Sequence, residues 1–150
     1  MDVKTFWNTF LEETGRDVDT QYLECFHFDL NERSANNLLA LVLAGKKRAT
    51  ASSLYAFAAE QMELPKPGSL FIVTDWAGVP RCVIETTAVT ILPFREVTFE
   101  ICSREGEDDS LESWQQGHTR FFTEDGKALG YEFSEDMPVV FEDFEVVYRV

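Results

Sequence analysis

The sequence is poor in the residues that staple or metallate a fold. Cysteine occurs three times, at Cys25, Cys82 and Cys102, an odd count with no C-x-x-C spacing. This argues against a disulfide framework and against a structural zinc site. Cys25 and Cys82, set in apolar strand-like runs, read as buried thiols acting as small hydrophobes. The two histidines, His27 and His118, are isolated from one another, and no Ser-His-Asp order is readable. Neither a metal nor a cofactor is expected. No apolar run approaches the ~20 residues of a transmembrane helix. The opening MDVKTFWNTFLEETG is amphipathic and acidic and lacks a signal-peptide core, so a cytoplasmic location is expected. Repeats, low-complexity tracts and linkers are missing too, and 150 residues suit one domain with one substantial core.

Positive charge is also in short supply: 13 Lys and Arg stand against 27 Asp and Glu, a formal net charge of −14. Such a surface repels nucleic acid at long range. The acid is uneven. It dominates from Glu100 onward, whereas between Gly45 and Pro67 the cations Lys46, Lys47, Arg48 and Lys66 outnumber Glu60 and Glu63. An anionic ligand is therefore expected to be small or bound locally, and an extended polyanion is the poorer candidate.

What is present is the patterning of a globular α+β chain, with 45% hydrophobic residues. Val3, Phe6, Trp7, Phe10 and Leu11 fall on one helical face, predicting a helix over 3–14 that Gly15 stops. YLECFHFDL alternates like a strand, with His27 opposite Phe26 and Phe28. Asn31 or Ser34 caps a helix through about Leu43, ended by Gly45. ATASSLYAFAAEQME is ambiguous: alanine favours helix, and its place after a basic turn suggests an irregular lead-in. SLFIVTDW and RCVIETTAVTILPF read as strands joined by a hairpin at Trp76–Pro80. Glu96–Arg104 reads as a short helix, Ser110 caps a helix over LESWQQGHTRFFTEDG, and VVFEDFEVVYRV closes the chain as a strand. Consecutive strands without regular βαβ alternation predict α+β with a largely antiparallel sheet or small barrel.

Two segments carry candidate chemistry. LVLAGKKRATAS gathers Lys46, Lys47 and Arg48 beside Thr50 and Ser52. It is not a phosphate-binding P-loop, since its only glycine, Gly45, follows a helix. One reading is a helix C-terminus, with Gly45 in the left-handed cap and lysines against the dipole. The other brings Lys47 and Thr50, three apart, to one cleft, where a desolvated lysine activates a hydroxyl nucleophile. The second segment, REGEDDSLESW, is either a solvated acidic loop before a helix or the source of a carboxylate partner for Lys47. Its Glu105, Glu107, Asp108 and Asp109 fit no calcium-loop template. His118 follows Trp114 by four, so the two share a helix face.

LVLAGKKRATAS, PKPGSLFIVTDWAGVPRCVIETT, REGEDDSLESWQQGHTRFF and DMPVVFEDFEVVY, in that order, resemble the ASCH domain family of the PUA-like superfamily, in its longer bacterial branch. The likeness covers most of residues 25–148. It implies a PUA-like small, mostly antiparallel β-barrel with flanking helices and a cleft beside the G-x-K-x-x-T loop. ASCH domains are proposed to bind RNA or nucleotides; a short bacterial branch hydrolyses N4-acetylcytidine through a Lys–Thr–Glu set, and another member is a ribonuclease. Carried over, these roles fall on Lys47, Thr50 and Glu105, with Glu107 the alternative carboxylate because the E-G-E segment is longer here. Ile101-Cys102-Ser103-Arg104 departs from the small alanine-rich run of the family. The resemblance makes the basic triplet and its neighbours, Gly45, Lys46, Arg48 and Ser52, a ligand-binding lining, with Tyr55 or Trp114 stacking on a base. The expected function is hydrolysis of an acyl amide on a modified nucleoside, with Thr50 attacking and Lys47 taking its proton. The alternatives are a non-catalytic RNA-binding module and a ribonuclease acting on single-stranded RNA. The expected partner is a modified nucleoside or short RNA, with no membrane, and the oligomeric state is left open.

Overall fold

The longest alternating runs become the two central strands. In a computed structural model that describes all 150 residues, β4 (Pro80–Pro93) and β5 (Pro138–Arg149) pair antiparallel from Cys82↔Arg149 to Pro93↔Pro138. Register shifts at Val83/Ile84 and Thr86/Ala88 mark bulges, which bend a strand and sharpen its twist. β3 (Leu70–Thr74), buried at every position, lies antiparallel on β4, and β1 (Glu24–Phe26) lies parallel on β3. On the other side β2 (Ala49–Ser53) pairs antiparallel with β5. The order is β1-β3-β4-β5-β2. The result is an α+β fold whose mostly antiparallel sheet curls into a half-barrel flanked by helices, the PUA-like architecture.

Helices cover the sheet where their apolar faces dictate. α1 (Val3–Thr14) buries Phe6, Trp7, Phe10 and Leu11 against Leu70, Ile72 and Val83. Each such side chain contributes about 1.5–3 kcal/mol of burial. Asp2 caps its start and left-handed Gly15 ends it. α2 (Glu32–Leu43), capped by Asn31, sets Leu39 and Val42 on Phe71, Val73 and Ile84. α5 (Leu111–Leu129), capped by Ser110, sets Trp114 and Phe122 on Phe94, Met137, Val139 and Phe141. No helix is long and apolar enough to cross a membrane.

Four local expectations change. ATASS is strand β2, followed by the short helix α3 (Leu54–Ala59), because five residues pair with β5 and tertiary pairing overrides alanine's helix preference. The strand after Tyr22 shrinks to three residues, the sheet's one parallel member, and exposed His27 beyond it packs on Trp76 at 4.7 Å. Glu96–Arg104 splits into two 3-10 turns around α4 (Phe99–Cys102). Cys82 is fully buried, whereas Cys25 is only half-buried.

Candidate functional site

The site forms where two remote stretches of backbone touch. After α2, Gly45 turns the chain at φ 77°, and the amides of Lys46 and Lys47 both donate to the Leu41 carbonyl. The Arg48 amide then donates to the Arg104 carbonyl at 2.9 Å, and the Phe144 amide donates to the Arg48 carbonyl at 3.0 Å. Gly106, at φ 70°, lies so close that a Cβ there would stand 2.2 Å from the Lys46 carbonyl oxygen. Only glycine permits both that conformation and that approach. The contact brings the KKR triplet and the E-G-E segment together.

Successive side chains of an extended segment point to opposite sides. Lys47 therefore points inward and is buried, while Lys46 and Arg48 stay exposed. The Lys47 ammonium donates to the Ala49 carbonyl at 2.8 Å and to Glu107 Oε2 at 2.6 Å, and meets Glu105 Oε1 at 3.5 Å. It also stands 5.4 Å from the centre of the Phe28 ring. Three acceptors match the three N–H bonds of an ammonium. Arranged this way Lys47 donates, and it makes no hydrogen bond to Thr50.

Glu105 is 2% exposed and is the hub of the site. It accepts the indole N–H of Trp114, and His118 Nε2 lies 3.4 Å from its Oε1. His118 Nδ1 faces the Trp114 carbonyl at 3.0 Å, so that nitrogen carries a proton. Burial would push Glu105 up, but the Lys47 ammonium, His118 and the Trp114 N–H hold it well below the usual carboxylate range. Burial opposes a charged His118, yet the bond to Glu105 wins and its pKa is raised. Glu107 is pushed up, by burial first and then by Glu105, with Lys47 working against both.

These groups open onto a cleft of about 500 Å³, a volume in the range that holds a small ligand. Lys47, Thr50, Glu105, Glu107 and His118 all line it. Phe28, Leu38 and Phe121 supply apolar wall, and Asn31, Ser34, Arg120 and Glu124 add polar lining. The structure brings Lys47, Thr50 and both candidate carboxylates to one place.

The binding residues expected from sequence are placed differently. Gly45 and Arg48 line a separate hollow with Val42 and Phe144, and Lys46 projects into solvent, because the backbone alternates through the triplet. Ser52 lines a smaller neighbouring hollow. Tyr55 lies on the surface, its ring 6.0 Å from that of Tyr131. Trp114 is 0% exposed and cannot stack on a ligand; it holds Glu105 from behind. His118 and Phe121 line the cleft without a sequence motif to mark them. The only sequence signal for His118 was its four-residue spacing from Trp114.

A family model of the ASCH domain matches residues 24–148. An ASCH domain from Lactobacillus crispatus is 37% identical, with 97% of this chain and 94% of that chain covered and a TM-score of 0.86. A protein from Enterococcus faecalis is 34% identical, with 97% of this chain and 87% of that one covered and a TM-score of 0.87. No curated protein matches the chain.

Proposed function

Because the chain belongs to the ASCH domain family, we propose that its cleft hydrolyses an acyl amide on a modified nucleoside, such as N4-acetylcytidine. One observation carries the reading: in a protein of net charge −14, Lys47, Thr50, Glu105 and Glu107 line a single cleft. Thr50 Oγ1 attacks the acyl carbon, forming an ester with the enzyme as the C–N bond breaks and the hydroxyl proton leaves with the amine; water then releases the acid and restores the hydroxyl. The buried Lys47 ammonium stabilises the oxyanion, where low dielectric strengthens its charge. Glu105 positions Lys47 and is itself held by Trp114 and His118. Phe28 and Phe121 offer apolar walls to a planar base. For Lys47 to act instead as the proton acceptor, it must first pass a proton to Glu107, its 2.6 Å partner.

Charge supports a nucleoside over long RNA. Asp29, Asp108 and Glu124 join the cleft lining, and phosphate neutralisation, which drives polyanion binding, has few cations to draw on. The test is turnover of a panel of acylated nucleosides by wild type and Thr50→Ala, beside titration of a labelled single-stranded RNA at ~0.15 M salt. We expect an acylated nucleoside to be hydrolysed by wild type. Thr50→Ala should lose on the order of 10³-fold or more in turnover while still binding the nucleoside. Inert acyl nucleosides together with tight, salt-insensitive RNA binding would replace this reading with an RNA-binding module.

A further inference from the structure

Thr50 stands at the boundary of two cavities. Besides the cleft described above it lines a second hollow of about 210 Å³, and Phe121 is likewise common to both. Directly across the β2–β5 ladder from Thr50 is Glu142. Residues opposite one another in an antiparallel pair share a face, with Cβ atoms about 4.5–5.5 Å apart. Register thus places the Thr50 and Glu142 side chains side by side on one face of the sheet, with no hydrogen bond joining hydroxyl to carboxyl in the free protein.

Glu142 has a single side-chain hydrogen-bond partner in the protein, Thr86. It is 8% exposed, yet it makes no ion pair. Its Oε2 accepts the Thr86 hydroxyl at 2.8 Å, while Oε1 has no hydrogen-bond partner in the protein. The side chain lines the second hollow, so the free oxygen has that space to face. Buried carboxylates are ordinarily paired or fully hydrogen-bonded. Lys47, by contrast, has every N–H directed at an acceptor and no lone pair to offer.

We propose that Glu142 is the acid–base residue that serves Thr50, acting from the hollow beside the Lys47 cleft. The proposal rests on the reading of Thr50 as nucleophile. As Oγ1 bonds to the acyl carbon, its proton moves to the Glu142 carboxylate. As the C–N bond breaks, Glu142 gives that proton to the departing amine. Water then attacks the acyl-threonine ester, its proton passes to Glu142, and the carboxylic acid leaves as Thr50 Oγ1 regains the proton. Amide and water become acid and amine, and the enzyme is unchanged. Lys47 remains charged throughout and stabilises the oxyanion.

The surroundings of Glu142 suit this role. Burial pushes its carboxyl up to about 7, the Thr86 bond partly offsets this, and Glu24 adds to it. An acid–base group works best when its pKa lies near the working pH. The titratable groups that share its hollow are Glu24 of β1, His27 beyond it, Glu60 at the end of α3 and Asp125 of α5.

The test uses an acylating probe that does not depend on the natural substrate. Wild type and Glu142→Gln are treated with p-nitrophenyl acetate, and acetylation of Thr50 is followed by intact mass and peptide mapping. Wild type should be acetylated at Thr50, at a rate that rises as pH passes upward through about 7. Glu142→Gln should be slower by about 10²-fold or more and lose that rise. A Glu142→Gln rate equal to wild type, or no acetylation of Thr50 in wild type, overturns the proposal. Should the variant fail to fold, the wild-type profile decides, and a rate flat across neutral pH overturns it. Glu142-dependent acetylation with no turnover of any acyl nucleoside would remove the amidohydrolase reading and leave this inference standing.

Discussion

Trp114 and His118 lie face to face, ring centroids 4.3 Å apart and planes 20° apart, and both turn a ring nitrogen toward the same Glu105 carboxylate. Four residues separate them on α5, so one helix face supplies a two-ring clamp for a single buried anion. The clamp fixes Glu105, Glu105 helps fix Lys47, and the order of dependence can be measured.

Replacing Trp114 by Phe removes the indole N–H from a fully buried acceptor. The expected cost is about 1–3 kcal/mol for the lost partner, beyond whatever the smaller ring loses in packing. A double-mutant cycle with Glu105→Gln, read by urea unfolding, separates the two contributions. Coupling of about 1 kcal/mol is expected, and strict additivity would show that the bond does not hold Glu105.

Lys47→Met leaves the buried Glu105 and its less buried neighbour Glu107 without their shared cation. The loss at neutral pH should be about 3–5 kcal/mol. In wild type, depressed Glu105 contributes stability above its unfolded pKa, and that stability is lost as pH falls through the folded value. In the variant both carboxyls should be raised, so the folded state binds protons more tightly and is favoured at low pH. The penalty should accordingly be smaller at acid pH than at alkaline pH. Equal penalties in urea melts at the two extremes would mean that the carboxylates are not coupled through Lys47.

Gly106→Ala tests the backbone contact that assembles the site. The added Cβ meets the Lys46 carbonyl at 2.2 Å, and the residue must also keep φ 70°. We expect a loss of about 2 kcal/mol or more in stability. Turnover should fall more than stability accounts for, because Lys47 and Glu105 are displaced relative to one another. An alanine variant with wild-type activity and melting temperature would show that this approach is dispensable.

Glu142→Gln should change stability in a pH-dependent way. A carboxyl raised to about 7 in the folded state contributes stability below its unfolded pKa, and this is lost as pH rises through about 7. Glutamine cannot ionise, so the variant should gain on wild type between acid and alkaline pH, by about 3 kcal/mol at most. Parallel stability profiles for the two proteins would contradict the raised pKa. A gain in stability alongside a loss of activity is the pattern expected when a buried group is kept for chemistry.

The sequence by itself determined what depends on near neighbours. Phe6, Trp7, Phe10 and Leu11 recur at helical spacing, so α1 was legible, and Asn31, Ser110 and Gly15 marked helix ends through their local hydrogen bonds and backbone freedom. The alternating runs that became β4 and β5 were equally plain, because side-chain period is a property of the strand alone. The motif order was enough to bring forward Lys47, Thr50 and the Glu105–Glu107 pair. Tertiary structure decided the rest. Lys46 and Arg48 carry the same charge as Lys47, and only the packing of Arg48 against Arg104 and Phe144 determines which cation turns inward. Trp114 reads as an exposed aromatic or a core one with equal ease until α5 is laid on the sheet. ATASS reads as a strand only once β5 supplies its hydrogen bonds, and that same pairing sets Glu142 opposite Thr50. Register between distant segments is the sum of many contacts across the core, and no single stretch of sequence contains it.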